Sequence, residues 1–249
     1  MIDTEKVIEE YPYFYETHLH TSHASRCGNN TPEEMVIACK EYGYTGIIVT
    51  DHNWGGNTSI SRKLPWEEHI NQYCESYEIA KAKGDEIGLD VFFGWEAGYN
   101  GTEFLIYGVD KEFMLSHPEL KDAGIEEQFD IVHSGGGIVV HAHPFREESY
   151  IPEIRLFPEY IDAVEGANGT HVSKASLHEI TPWFDEKARE YAKKHNLPMT
   201  AGSDLHSTKV IGAGIRAKRR LKDIKDFTDL ILSGKDYVLF DSEKYYEPK

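Results

Sequence analysis

Cysteine is scarce in this chain. Its three residues, Cys27, Cys39 and Cys74, are odd in number and contain no close pair, which excludes a disulfide framework and a paired-cysteine zinc site. Long apolar runs are missing too: no stretch approaches the roughly 18 to 20 residues that cross a bilayer. The opening Met1-Ile2-Asp3-Thr4-Glu5-Lys6 is too polar and acidic for a secretory signal. A cytoplasmic protein without a membrane partner is expected. Basic residues are outnumbered, 26 Lys and Arg against 43 Asp and Glu, for a formal net charge of -17. That charge repels duplex nucleic acid but admits a small anionic substrate wherever bound cations reverse the local sign. Internal repeats and low-complexity tracts are also lacking, and no feature sets an oligomeric state.

What is present is an ordinary globular composition, 40% hydrophobic and 12% aromatic over 249 residues. One domain spanning 1–249 is expected. Thr31-Pro32-Glu33-Glu34 reads as a helix start, with Thr as N-cap, Pro in the first turn and acids facing the positive end of the dipole. The helix stops near Gly43. Thr45 to Thr50 is a continuous β-branched run of the kind buried on both faces of a parallel sheet. A long amphipathic segment from Trp66 to Ala82 precedes a strand at Asp90 to Trp95, and further strands are predicted at Glu103 to Tyr107, Ile138 to Val140, Ile161 to Val164 and Leu197 to Ala201, with helices at Ile125 to His133 and Asp185 to His195. Strand and helix alternating with short connections indicate a parallel α/β architecture. A barrel fits better than an open doubly wound sheet, because the polar strand ends are spread along the chain.

Those strand ends carry the chemistry. Apolar stretches run into His18-Leu19-His20, Asp51-His52, Glu96, His141-Ala142-His143 and Asp204-Leu205-His206. Side chains at the ends of parallel strands converge on one place, and imidazole and carboxylate are the donors that hold Zn²⁺, Mn²⁺ or Fe²⁺. Each signal has an ordinary reading of its own. Asp51-His52 suits a turn, Asp204 after Gly202-Ser203 suits a cap, and Glu96 suits a buried partner for a lysine. Five coincidences together do not suit any of these, so a metal-dependent enzyme is expected.

The ordered set His18-x-His20, Thr50-Asp51-His52, Glu96, Ala142-His143-Pro144 and Gly202-Ser203-Asp204-x-His206 resembles the PHP (polymerase and histidinol phosphatase) family over about residues 14 to 220. The resemblance implies a distorted seven-stranded (β/α) TIM-like barrel with two or three divalent cations, usually a phosphoesterase. It implies that His18, His20, Glu96 and Asp204 hold one metal, that Glu96 bridges to a second held by His143, and that His52 and His206 belong to a third. Two positions depart from the family pattern. Glu103 stands where many members have a histidine after the bridging glutamate, and is expected as a carboxylate ligand of the second metal, the alternative being a solvated strand end that leaves that site weaker. Ser25, Arg26 and Cys27 stand where an aspartate or histidine often serves the third.

Arg146 and Arg26 are candidates to clamp a phosphate, since a guanidinium fork matches its oxygens; the alternative for each is a surface ion pair. His141 is either an outer partner of a ligand or a core histidine. Glu165 and Asn168 match an Asp-x-x-Glu-x-x-Asn segment common in the family and are expected to line the pocket. Arg216-Ala217-Lys218-Arg219-Arg220 reads as a solvated edge in an acidic protein. The mechanism expected is in-line attack on a small phosphomonoester by hydroxide formed between two cations, with Asp204 or His206 positioning the water that protonates the leaving group. The rival enzyme is an amidohydrolase using the same site on a carbonyl; a catalytically silent metal-binding module is the third reading. Substrate selection is expected from segments 53–64, 97–102 and 144–185.

Overall fold

Thr31 does cap a helix. Its hydroxyl accepts from Glu34 N while the Glu34 carboxylate accepts from Thr31 N at 3.0 Å, a reciprocal pair that satisfies two orphan donors of the first turn. Gly43 closes the helix in the left-handed conformation, φ 104°. In this computed structural model, which describes residues 4–176 and 179–249 (of Thr4 only the backbone), the elements run α1 (Thr4–Glu10), β1 (Tyr13–Leu19), α2 (Pro32–Tyr42), β2 (Gly46–Val49), α3 (Trp66–Ile87), β3 (Asp90–Tyr99), β4 (Thr102–Tyr107), α4 (Lys111–Ser116), α5 (Ile125–Ser134), β5 (Ile138–His141), β6 (Ala163–Asn168), α6 (Pro182–Lys194), β7 (Met199–Gly202), β8 (Gly214–Ala217), α7 (Ile224–Ser233), β9 (Tyr237–Phe240) and β10 (Tyr245–Tyr246). Met1 to Asp3, the start of the polar leader stretch, and Leu177 and His178, inside the 144–185 segment, lie outside the described residues. No described helix is long and apolar enough to cross a membrane.

The expected seven-stranded (β/α) barrel is corrected here. The described residues form ten strands in one sheet, ordered β10-β9-β8-β1-β2-β3-β4-β5-β6-β7, and the barrel is open. The sheet is mixed. Strands β1, β2 and β3 are parallel, as are β5, β6 and β7, but β4 runs antiparallel to both neighbours and β8 runs antiparallel to β1. The hairpin is the reason. Two residues, Asn100 and Gly101, join β3 to β4, too few for a crossover helix.

The curl still brings β7 back against β1 without a ladder between them. A single bridge pairs Leu19 with Leu205, Leu205 N donates to His18 O, and His20 N donates to Leu205 O. Thr17 Oγ1 donates to Ala201 O at 2.8 Å. The approach is so close that a Cβ on Gly202 would meet the His18 Cβ at 2.5 Å. Beneath the curl, Trp95, Phe104, Tyr107 and Phe129 fill the larger apolar core, while Met35, Val36, Ile47 and Val49 pack α2 onto β2 in a smaller one. The basic run at β8 is used within the chain. Arg216 stacks on Phe14, Arg219 pairs with Asp226, and Arg220 pairs with Asp90 at 2.7 Å.

Candidate metal centre

His18 lies within β1 and His20 one residue beyond it, two apart, so both rings share one face. His52 follows β2, Glu96 lies on β3, Glu103 on β4, His143 just past β5, and Asp204 and His206 just past β7. All but Glu103 and His206 are nearly or fully buried. Four overlapping groups have ligand atoms within 4.8 Å of one another: His18 with His20 and Glu96, His18 with His143 and Asp204, His52 with Glu96 and Glu103, and His20 with His52 and His206. Two of the turn residues are strained. His143 and Asp204 adopt positive φ, 27° and 54°, a conformation that costs an L-residue on the order of 1 kcal/mol and collects at functional sites.

Glu96 is the hub. Its Oε1 lies 3.3 Å from His18 Nε2 and 3.1 Å from His143 Nε2, and its Oε2 lies 2.8 Å from His52 Nδ1 and 3.5 Å from His20 Nε2. Asp204 Oδ1 faces His18 Nε2 and His20 Nε2 at 3.4 and 3.3 Å. Glu103 reaches His143 at 3.7 Å and His52 at 3.8 Å, so it stands where the second cluster needs a donor. His18 Nε2, His20 Nε2, His52 Nδ1 and Glu96 Oε2 are buried without a hydrogen-bond partner. Buried polar atoms are rarely left so. Four orphan donor atoms of ligand type pointing at each other fit bound divalent cations.

Behind these residues is a second layer that fixes ring orientation. Glu165 Oε1 takes the Nδ1 proton of His18 at 2.8 Å, and its Oε2 accepts from His143 N and Asn168 Nδ2. This frees His18 Nε2 to face inward. Glu165 and Asn168 are fully buried behind the ligands and do not line the cavity. Asp51 is not brought to the cluster. Its oxygens accept from Thr21 N, Thr21 Oγ1 and Ser25 Oγ at 2.7, 2.9 and 2.6 Å, pinning the loop after β1. Ser25 Oγ in turn accepts from His52 N and lies 3.3 Å from His20 Nδ1. His141 is a core histidine, its ring tilted against that of Phe104, and burial pushes its pKa down to about 3.

The cluster opens into a cavity of about 940 Å³ whose wall includes Cys27, Tyr99, Glu103, Arg146, Tyr150 and Lys209. Arg146 donates from one terminal nitrogen to Asp204 Oδ2 at 2.6 Å and to Thr170 Oγ1 at 3.3 Å. Arg26 is exposed, donates to Thr58 O at 2.8 Å, and is not part of that wall. Residues 53–64 and 97–102 contribute Gly55, Gly56, Asn57 and Gly98 to Gly101 to the wall.

Two further features were not legible in the sequence. His171 accepts from Arg146 Nε at 3.1 Å and donates to Asp185 at 2.6 Å; it sits on a short 3-10 turn with no periodic signal. The Cys27 thiol shares the cavity wall with His52 and His206, and although burial opposes ionisation, those two rings bring its pKa down to about 7. Burial opposes protonation of His18 as well, but Asp204, Glu165 and Glu96 outweigh it and hold the ring's pKa well above its usual value. For Asp204, burial is outweighed by His18 and Arg146, which keep it anionic.

A family model described as "PHP domain" matches residues 16–198, well over half of the chain. The chain belongs to the PHP family. A second model, "PHP-associated", matches residues 182–235, the stretch that carries α6, β7, β8 and α7 of this PHP protein. Among curated proteins none matches. Similar solved structures include a two-domain protein from Bacteroides vulgatus containing a predicted PHP-like metal-dependent phosphoesterase, at TM-score 0.67 and 14% identity; the match covers 92% of this chain but 64% of that one. A protein from Bifidobacterium adolescentis, assigned by prediction as a metal-dependent phosphoesterase, matches at TM-score 0.55 and 16% identity over 89% of this chain and 96% of that one. An amidohydrolase from Chromobacterium violaceum, described with bound sulfate and no metal, matches at TM-score 0.51 and 15% identity over 77% and 87%. At these identities the likeness shows a shared PHP-like fold.

Proposed function

We propose that this PHP protein is a metal-dependent phosphoesterase that releases phosphate from a small phosphomonoester, acting in the cytoplasm, where its three unpaired thiols stay reduced. Two or three divalent cations, Mn, Fe or Zn, would be held by His18, His20, Glu96 and Asp204, by Glu96, Glu103 and His143, and by His52 and His206. Such ions polarise the phosphoryl group and make hydroxide available near neutral pH. The observation that carries the reading is Arg146, a guanidinium held against Asp204 on the cavity wall beside the ligand cluster.

The chain's own residues supply the rest. Arg146, whose Nε and one terminal nitrogen are held by His171, Asp204 and Thr170, presents its other terminal nitrogen to the non-bridging oxygens of the substrate, and Asp204 keeps the guanidinium at the site. Asp204 stays ionised, so it cannot itself donate a proton; it orients a water that gives its proton to the leaving oxygen as the P–O ester bond breaks. His206, part-exposed on the same wall, borders that leaving group. Tyr99 and Tyr150 offer aromatic surface to the part of the substrate beyond the phosphate.

The test is phosphate release from a panel of phosphomonoesters by purified protein loaded with Mn²⁺, Fe²⁺ or Zn²⁺, and Arg146→Ala is expected to raise KM. No release with any of the three ions rules the reading out. The likeness to an amidohydrolase supports the second reading, in which the same site hydrolyses an N-acyl carbonyl; turnover of such a substrate undiminished in Arg146→Ala would establish it.

A further inference from the structure

The cavity wall holds one arginine and one lysine, Arg146 and Lys209. Arg146 is balanced, since Asp204 Oδ2 accepts from it at 2.6 Å and Thr170 and His171 take its other bonds. Lys209 is not: among the described residues its ammonium makes no ion pair and no hydrogen bond. The carboxylates of the same wall are Glu96, Glu103 and Asp204, and each is committed to the imidazoles of the metal clusters or to Arg146. In a chain of formal net charge -17, an ammonium on a cavity wall with no carboxylate of its own draws its counter-charge from whatever fills the cavity.

The backbone that carries Lys209 is fixed on both sides. Before it, Asn29 donates twice to His206 O, from N at 2.8 Å and from Nδ2 at 3.1 Å, and Thr208 N donates to Asn30 Oδ1 at 3.2 Å. After it, Val210 N closes a turn on Ser207 O at 3.1 Å, and the Val210 side chain is buried in the smaller apolar core. These bonds set Lys209 beside the loop that precedes α2, whereas Arg146 is held by Thr170 and His171 on the short turn after β6. The two cations thus stand on separate supports. A cavity of about 940 Å³ is in the range that encloses a whole small-molecule ligand, so a single phosphate on Arg146 leaves most of it unfilled.

We propose that Lys209 binds a second anionic group of the substrate, so that the site prefers phosphomonoesters whose remainder carries a carboxylate or a further phosphate over those whose remainder is uncharged. A lysine ammonium is a compact point charge with rotatable donors, and it serves either anion. The inference rests on the phosphomonoester reading of the same site and narrows its substrate class.

The experiment uses the full chain loaded with Mn²⁺ and titrates it calorimetrically with non-hydrolysable phosphonate analogues in two matched pairs. One pair is glycerol phosphate and phosphoglycerate, which adds a carboxylate close to the phosphate; the other is a hexose monophosphate and the hexose bisphosphate, which adds a phosphate at the far end. The parent chain is expected to bind the doubly anionic member of at least one pair about tenfold more tightly, the scale of one charge-assisted hydrogen bond, and the preference should shrink as salt is raised. Lys209→Met should bring that ratio to about one. Lys209→Arg should keep it, which separates loss of the charge from a folding defect. A ratio near unity for both pairs in the parent chain, or a preference that survives in Lys209→Met, overturns the proposal. A preference that Lys209→Met abolishes, together with no phosphate release from any of the parent esters, supports the Lys209 subsite and rejects only the phosphoesterase reading.

Discussion

The Nδ1 of His171 lies 2.6 Å from the Asp185 carboxylate, and this contact decides which nitrogen is left for Arg146. A guanidinium has donors only, so the His171 Nε2 that meets Arg146 Nε at 3.1 Å must carry a lone pair, and its proton must sit on Nδ1. Burial pushes the His171 pKa down despite Asp185, so the ring stays neutral. The other Asp185 oxygen is claimed by Asn168 N. In Asp185→Asn the amide NH₂ therefore turns to His171, reverses its tautomer and sets N–H against N–H at Arg146. Substrate KM should rise about tenfold, worth about 1.4 kcal/mol of anion binding, with kcat nearly unchanged. His171→Gln with Asp185 intact can accept from Arg146 through its carbonyl and donate to Asp185 through its amide, and should leave KM nearly unchanged. Steady-state kinetics on the best phosphomonoester decides it; an unchanged KM in Asp185→Asn would reduce the network to packing.

Glu165 is expected to govern metal affinity although it is not itself a ligand, because it holds His18 and His143. Glutamine cannot replace it. With its oxygen on His18 Nδ1–H, its NH₂ would confront His143 N–H and the Asn168 amide; turned round, it would force the His18 proton onto Nε2, the nitrogen that faces Glu96 and Asp204. Glu165→Gln should weaken metal binding roughly 10- to 100-fold, read by competition with a chelator. Equal affinity would mean that β1 alone orients the ring.

This division between inner and outer layers also explains what could be read from the chain. His18, His20, Glu96, His143 and Asp204 were legible because each ends or follows a β-rich run, and strand ends in a curled sheet converge. Glu103 was legible only as a departure from a familiar pattern. Asp51 shares the strand-end signal yet turns to Thr21 and Ser25, since a carboxylate next to a chain reversal finds backbone donors first. Arg26 and Arg146 look alike in sequence; only the fold turns one to Thr58 and the other to Asp204. The antiparallel direction of β4 and the added β9 and β10 went unread for a similar reason. Pairing direction depends on connection length and long-range contact, and apolar runs carry neither.

Glu16 lies two residues before His18, fully buried, and its carboxylate is pushed up to about 7 by burial, only partly offset by donors from Ser203 and His18. A folded-state pKa raised above the usual carboxylate value means that the folded chain binds a proton the unfolded chain has released. The stabilisation is complete below about pH 4.5 and is lost as pH rises through about 7. The buried charge then costs on the order of 3 kcal/mol, from roughly 2.5 pH units at 1.36 kcal/mol each. Glutamine fits the same space. Oε1 can keep both backbone donors, His18 N and Ser203 N at 2.9 Å each, while the amide donates to the Tyr44 hydroxyl, whose own proton goes to Ala213 O. Glu16→Gln should therefore match the parent protein near pH 5 and exceed it in stability near pH 8. Denaturant unfolding of both chains with metal removed, compared across that range, reads the difference directly. A constant gap would show that the Glu16 carboxyl does not titrate on its own, its charge being tied to the His18 ring beside it.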